Sequence, residues 1–138
     1  MRTVEHTATT RTALGPLEQI EAGVLNVGYA EAGPSGGPTV ILLHGWPYDI
    51  HSYVDVIPLL TSAGYHVIAP YLRGYGTTTF LSNETFRNGQ PSALALDAIA
   101  LMDVLKIDSA ILAGFDWGAR TADIVAASGH NDAGRSYP

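Results

Sequence analysis

Asp116 stands between Gly114 and Gly118 at the end of an apolar run, Ala110-Ile-Leu-Ala-Gly-Phe-Asp-Trp-Gly118. Gly-x-Asp-x-Gly where a strand passes into a helix holds one side chain up at a sharp bend, because the missing Cβ atoms leave room for the reversal. A carboxylate presented this way is poor at acyl transfer, since the product would be anhydride-like. It can instead displace a leaving group at saturated carbon and form an ester. The chemistry indicated is opening of an epoxide or removal of a halide. The plain alternative is a turn in which Asp116 only caps the helix.

A second motif, His44-Gly-Trp-Pro47, follows an earlier apolar run, Thr39-Val-Ile-Leu-Leu43. If both runs are neighbouring strands of a parallel sheet, both motifs lie at its C-terminal edge, where ligands bind. Gly45 lets the chain turn, and the backbone N–H groups of Trp46 and Trp117 can then face negative charge on the Asp116 carboxylate as water attacks the ester. Trp46 and Trp117 are the only tryptophans. An indole N–H can donate to a departing halide, and its face can support an apolar substrate. His44, Gly45, Trp46, Pro47 and Trp117 are therefore the candidate substrate-binding residues. The alternatives are a turn closed by His44-Gly45 and aimed by Pro47, and tryptophans serving the core.

The elements needed to position these residues are legible. Glu18 to Ala32 alternates around Gly23 as a hairpin does, and Gly33 to Pro38 breaks the chain as a loop. Thr39 to Gly45, His66 to Leu72 and Ser109 to Phe115 read as buried strands. Helices are expected over Tyr53 to Ser62, Ser92 to Leu105 and Trp117 to Ala127. In the first, Ser52 is the candidate cap and Val54, Val56, Ile57, Leu59 and Leu60 the inward residues, while Pro58 imposes a kink or a late start. In the second, Leu94, Ala98, Leu101 and Leu105 form one stripe. Arg73 to Gly89 is a long loop. Alternating strands and helices give an α/β fold with a mostly parallel sheet and flanking helices. Residues 1–16 read as an arm, 17–127 as one domain and 128–138 as an irregular tail.

The 138 residues, 46 % apolar and 14 % charged, suit a single core. A formal charge of −6 without a basic cluster argues against nucleic acid as a partner. The absence of cysteine excludes disulfides and thiolate metal sites. No cofactor or metal is expected. Residues 1–15 lack the apolar core of a secretory signal, and no apolar run reaches the roughly 18 residues that span a bilayer. A cytoplasmic protein acting on a small apolar organic substrate, away from membranes, is the expectation.

Taken with Arg73-Gly-Tyr-Gly76, the motifs His44-Gly-Trp-Pro47 and Gly114-Phe-Asp-Trp-Gly118 resemble the epoxide hydrolase and haloalkane dehalogenase branch of the α/β-hydrolase family, over about Leu25 to Ala127. The resemblance implies Asp116 as nucleophile, an oxyanion hole from the amides of Trp46 and Trp117, a cis peptide before Pro47 and a covalent alkyl-enzyme intermediate. The aromatic residue before Pro47 is more like epoxide hydrolases and fluoroacetate dehalogenases. Two positions depart from many relatives: Phe115 where His is common, and Tyr71 where Asp is common. The family continues with further strands, a helical cap, an acid and a distal His that activates water, so the fold read here is incomplete and turnover is expected to be impaired. The histidines present are His6, His44, His51, His66 and His130, none at the family's position. Residues 109–115 would form a bare apolar edge prone to self-association. A dehalogenase acting on haloalkanes or haloacids and a non-catalytic truncated α/β scaffold are the other readings. A serine esterase ranks below them, as does a dinucleotide-binding domain, since no strand is followed by Gly-x-Gly-x-x-Gly.

Overall fold

A computed structural model describes residue 14, residues 16–128 and the backbone of residues 135–137. Among the described residues seven strands form one mixed sheet, in the order β1-β2-β4-β3-β6-β7, with β5 beside β2. β1 (Leu17–Ala22) and β2 (Leu25–Ala32) make the expected hairpin, with Gly23 at φ 60° in its turn. β3 (Thr39–Leu43), β4 (His66–Pro70) and β6 (Ile111–Gly114) run parallel, β3 in the middle. β2 joins β4 antiparallel, so the parallel order predicted from sequence holds on one side of the sheet only.

The continuous apolar runs are explained by burial on both faces. Ile41, Leu43, Ile68 and Leu112 point into one cluster with Leu94, Ala98, Leu101, Ala122 and Val125. Val40, Leu42, Val67 and Ala69 point the other way, onto Ile50, Tyr53 and Ile57. Each such fully buried aliphatic side chain contributes about 1.5–3 kcal/mol.

Three α-helices among the described residues flank the sheet: α1 (Val56–Ser62), α2 (Pro91–Val104) and α3 (Trp117–Ala127). α3 has the predicted bounds. α2 starts with Pro91, whose fixed φ suits a first helical residue and whose missing N–H loses nothing there. α1 differs from expectation. A 3-10 turn, Ile50–Tyr53, precedes it and is capped by Asp49, whose carboxylate accepts from the His51 N–H at 2.8 Å. Ser52 caps nothing. Pro58 is the third residue of α1, where its lost N–H is one a helix leaves unpaired anyway, so the late start is the outcome. Of the five residues expected inward, Ile57 is buried while Leu59 is 73 % exposed and Val56 lies at the surface.

Two strands were not foreseen. β5 (Thr79–Phe80) pairs with Leu25 and Asn26 inside the long loop. β7 (Arg135–Tyr137) pairs in parallel with Ile111–Ala113. The tail read as irregular thus contributes a strand, and the β6 edge expected to be bare is hydrogen-bonded over those three residues.

Candidate active site

The bend at Asp116 is built by backbone crowding. Asp116 has φ 57° and ψ −122°, a conformation that costs a non-glycine residue of the order of 1–3 kcal/mol. What holds it there is β3. A Cβ on Gly118 would lie 2.0 Å from the Leu43 carbonyl oxygen, and one on Gly114 2.8 Å from the same atom. A Cβ on Gly45 would lie 2.6 Å from the Asp116 Cβ and 2.7 Å from the Phe115 carbonyl oxygen. All three glycines are required because the two motifs touch main chain to main chain.

The same approach brings the predicted donor to the predicted nucleophile. The Trp46 N–H donates to Oδ2 of Asp116 at 3.1 Å. The Trp46–Pro47 peptide is cis, as the resemblance implied. Trp117 opens α3, so its N–H has no carbonyl one turn back, and it carries no hydrogen bond to a described residue. The Asp116 side chain makes no capping bond to α3. Asp116 is exposed. Beside it lies a cavity of about 240 Å³ walled by Trp46, Leu72, Tyr75, Leu94 and Trp117. Arg120 lies over the Trp117 ring, 5.3 Å from its centroid.

His44 belongs to the frame. It is fully buried, so its place among the candidate substrate-binding residues is corrected. Its Nε2 accepts from the Leu72 N–H at 3.0 Å, which leaves the ring proton on Nδ1, facing the Gly45 carbonyl at 3.3 Å. Burial holds its pKa below the ordinary histidine value of 6.5, and the ring is neutral. Tyr53 completes this support by donating to the Leu43 carbonyl at 2.7 Å. Phe115, where many relatives carry His, packs its ring between those of Tyr48 and Tyr53, at 6.1 and 5.9 Å. Tyr71 is buried in the core.

The loop motif has a role that the sequence reading did not assign. Arg73 donates through Nε and Nη2 to both oxygens of Asp97 on α2, each at 2.7 Å, and through Nη1 to the Asn88 carbonyl at 2.7 Å. Burial pushes the Asp97 carboxyl above its usual value, against the pull of Arg73. The signal for this pair was present: Asp97 is a charge in the interior of an apolar helix, next to the stripe residue Ala98.

The other described histidines are engaged elsewhere. His51 Nδ1 meets Asp49 at 2.8 Å, and His66 meets Glu31 at 2.5 Å. His6 and His130 lie outside the described residues. Gly33-Pro-Ser-Gly-Gly37 has the spacing of a serine elbow, yet it lies in the loop leading into β3, with no strand-to-helix junction to present the serine.

A family model for the alpha/beta hydrolase fold matches residues 38–131. The chain belongs to the α/β hydrolase fold family. Among curated proteins, the chain is 42 % identical over 89 residues to epoxide hydrolase A of Mycobacterium tuberculosis, covering 64 % of the present chain and 27 % of the relative. It is 34 % identical over 122 residues to epoxide hydrolase 2 of Siraitia grosvenorii, covering 88 % and 34 %. Among solved structures, a provisionally named epoxide hydrolase of Klebsiella pneumoniae is 66 % identical with a TM-score of 0.82, over 83 % of this chain and 38 % of that one. Epoxide hydrolase A of Mycobacterium thermoresistibile is 34 % identical with a TM-score of 0.73, over 80 % and 34 %. The chain spans about a quarter to a third of the length of the curated relatives it matches. It is an epoxide hydrolase-like member of the family. No helix among the described residues is long and apolar enough to cross a membrane.

Proposed function

We propose that Asp116 is a nucleophile that opens epoxides of small apolar organic molecules and forms an ester with them. The observation that carries this reading is the Trp46 N–H on Asp116 Oδ2, at the head of a bend whose backbone is held in an unfavourable conformation. A capping aspartate needs neither feature, and Asp116 caps nothing. Trp46 leaves Oδ1 free to attack carbon while its N–H fixes the other oxygen. When water later attacks the ester carbonyl, negative charge develops on an oxygen facing the Trp46 and Trp117 amides, the arrangement of an oxyanion hole. The epoxide is favoured over a halide by the names of the relatives.

Release of the ester requires a base on water. Among the described residues no imidazole nitrogen is free at the site, since those of His44 serve the backbone. With no such base among the described residues, the ester should accumulate and diol should be released slowly.

The test is intact-mass spectrometry of the protein and of Asp116→Asn after incubation with styrene oxide, with released diol followed in parallel. The expected result is one added epoxide mass on the parent protein alone, with diol appearing later than the adduct. Labelling by an alkyl halide but not by the epoxide would favour a dehalogenase. Neither adduct nor turnover would favour an inert scaffold.

A further inference from the structure

Beside the cavity at Asp116, the long loop presents a cation that has no charged partner among the described residues. Arg87 lies over the ring of Phe80, 3.9 Å from its centroid, within the range of a cation–π contact. The ring is a fixed platform, since β5 pairs Phe80 with Leu25 of β2 and the side chain packs against the core. Arg73 lies over the same ring at 5.2 Å, but its donors are taken by both oxygens of Asp97 and by the Asn88 carbonyl. The guanidinium of Arg87 has no hydrogen bond or ion pair to any described residue.

Both arginines border a second cavity of about 380 Å³, completed by Gly74, Phe80, Asn88 and Gly89. Among the described residues no carboxylate stands on its wall. In a chain of formal charge −6, Arg87 is thus an uncompensated positive charge facing open space. A Cβ on Gly74 or Gly89 would meet nothing within 4 Å, so that side is open as well. Arg73 and Gly89 also border the cavity beside Asp116, so the two spaces adjoin.

We propose that Arg87 binds a carboxylate on the substrate, so that the epoxide taken by Asp116 is one whose apolar body ends in an acid. A guanidinium offers parallel N–H donors that match the two oxygens of a carboxylate, which an ammonium or a neutral amide does not reproduce. Phe80 carries that fork on its face, which lowers the conformational freedom lost when a ligand is bound. The apolar body then lies against Trp46, Leu72, Leu94 and Trp117, with the epoxide at Asp116. An acid gains a charge-assisted contact that its neutral ester lacks. Because Arg87 is exposed, solvent screens the pair, and the gain is modest and falls with salt.

The inference rests on Asp116 being the nucleophile, and a reactive and an unreactive series of ligands separate the two claims. In the reactive series, the peptide holding Asp116 is labelled in single turnovers by para-carboxystyrene oxide, by homologues with the carboxylate on a two-carbon or four-carbon tether, and by the methyl ester of each. At neutral pH and low salt the parent protein should take at least one acid about tenfold faster than its ester, with the advantage shrinking in molar salt. In Arg87→Gln the two rates should become equal, and Arg87→Lys should recover only part of the difference. A parent that prefers none of the acids, or an Arg87→Gln protein that keeps the preference, would overturn the role of Arg87.

In the unreactive series, tryptophan fluorescence reports binding of para-ethylbenzoate and its tethered homologues against their methyl esters, since Trp46 and Trp117 are the only indoles. The same preference, and the same loss in Arg87→Gln, are expected there. Binding in this pattern with no label on Asp116 would sink the nucleophile and keep the carboxylate site, whereas labelling with no preference in either series would do the reverse. Arg87 is exposed, so both variants should fold. Should they not, the acid-to-ester ratio of the parent decides, and a ratio that stays the same from low to molar salt would overturn the proposal.

Discussion

At the scale of single residues, Asp116 and His44 show what spacing reveals and what it conceals. Gly114 and Gly118 marked the bend, and a Cβ on Gly114 would meet the Gly118 carbonyl carbon at 2.6 Å, but the atom that forbids a side chain on Gly118 is the Leu43 carbonyl oxygen, about seventy residues earlier in the chain. A contact so distant in sequence has no local signature. His44 misled for a related reason. A polar residue after a buried strand looks like a ligand, and only the folded chain brings the Leu72 N–H to its Nε2. The consequence for pH follows in sign. With its folded pKa depressed, His44 contributes stability that is fully present above its ordinary pKa of 6.5 and is lost as pH falls through the folded value. His44→Gln removes that titration and leaves a backbone donor or acceptor poorly met. Urea unfolding should show the parent ahead by about 1–3 kcal/mol at neutral pH, with the gap narrowing in acid. A gap that stays constant from neutral to acid pH would show that His44 does not stay neutral in the folded protein.

At the scale of elements, the long strongly patterned segments were legible and the short ones were not. α3 starts at Trp117 as read, because the sharp bend at Asp116 fixes where it must begin. α1 is short and its apolar residues do not follow one stripe, so periodicity over-counted its buried face: Leu59 is left in solvent. β5 has two residues and is held by pairing with β2, which no local pattern encodes. The loop carrying Tyr75 takes its shape from the Arg73–Asp97 pair, nearly buried at both ends. Asp97→Ala would leave the guanidinium without its partner away from water, a change that costs about 3–5 kcal/mol. Denaturant unfolding should register that loss, and site labelling should slow along with it as the cavity wall loosens. A cost below about 1 kcal/mol, the range of exposed pairs, would show that the loop is held by something else.

At the scale of the whole molecule, the α/β class and the convergence of two loops at one sheet edge were read from alternating runs and turn residues. The pairing of β7 was not, since Arg135–Tyr137 carries no apolar run and is recruited by the unpaired edge of β6. Self-association through residues 109–115 was expected of an uncovered strand. With β7 removed, by shortening the chain to residues 1–128, Ile111–Ala113 regain an open edge. Light scattering should then find larger species in the shortened chain than in the parent. The same distribution for both would show that β7 does not guard that edge.

The claim on which the rest depends is that the Asp116 carboxylate forms a bond to carbon. Tandem mass spectrometry of proteolytic peptides from the protein quenched during reaction with styrene oxide tests it most directly. The added mass should map to Asp116 in the Gly114–Gly118 segment and be absent from Asp116→Asn. An adduct on a histidine or another carboxylate, retained in Asp116→Asn, would contradict the account.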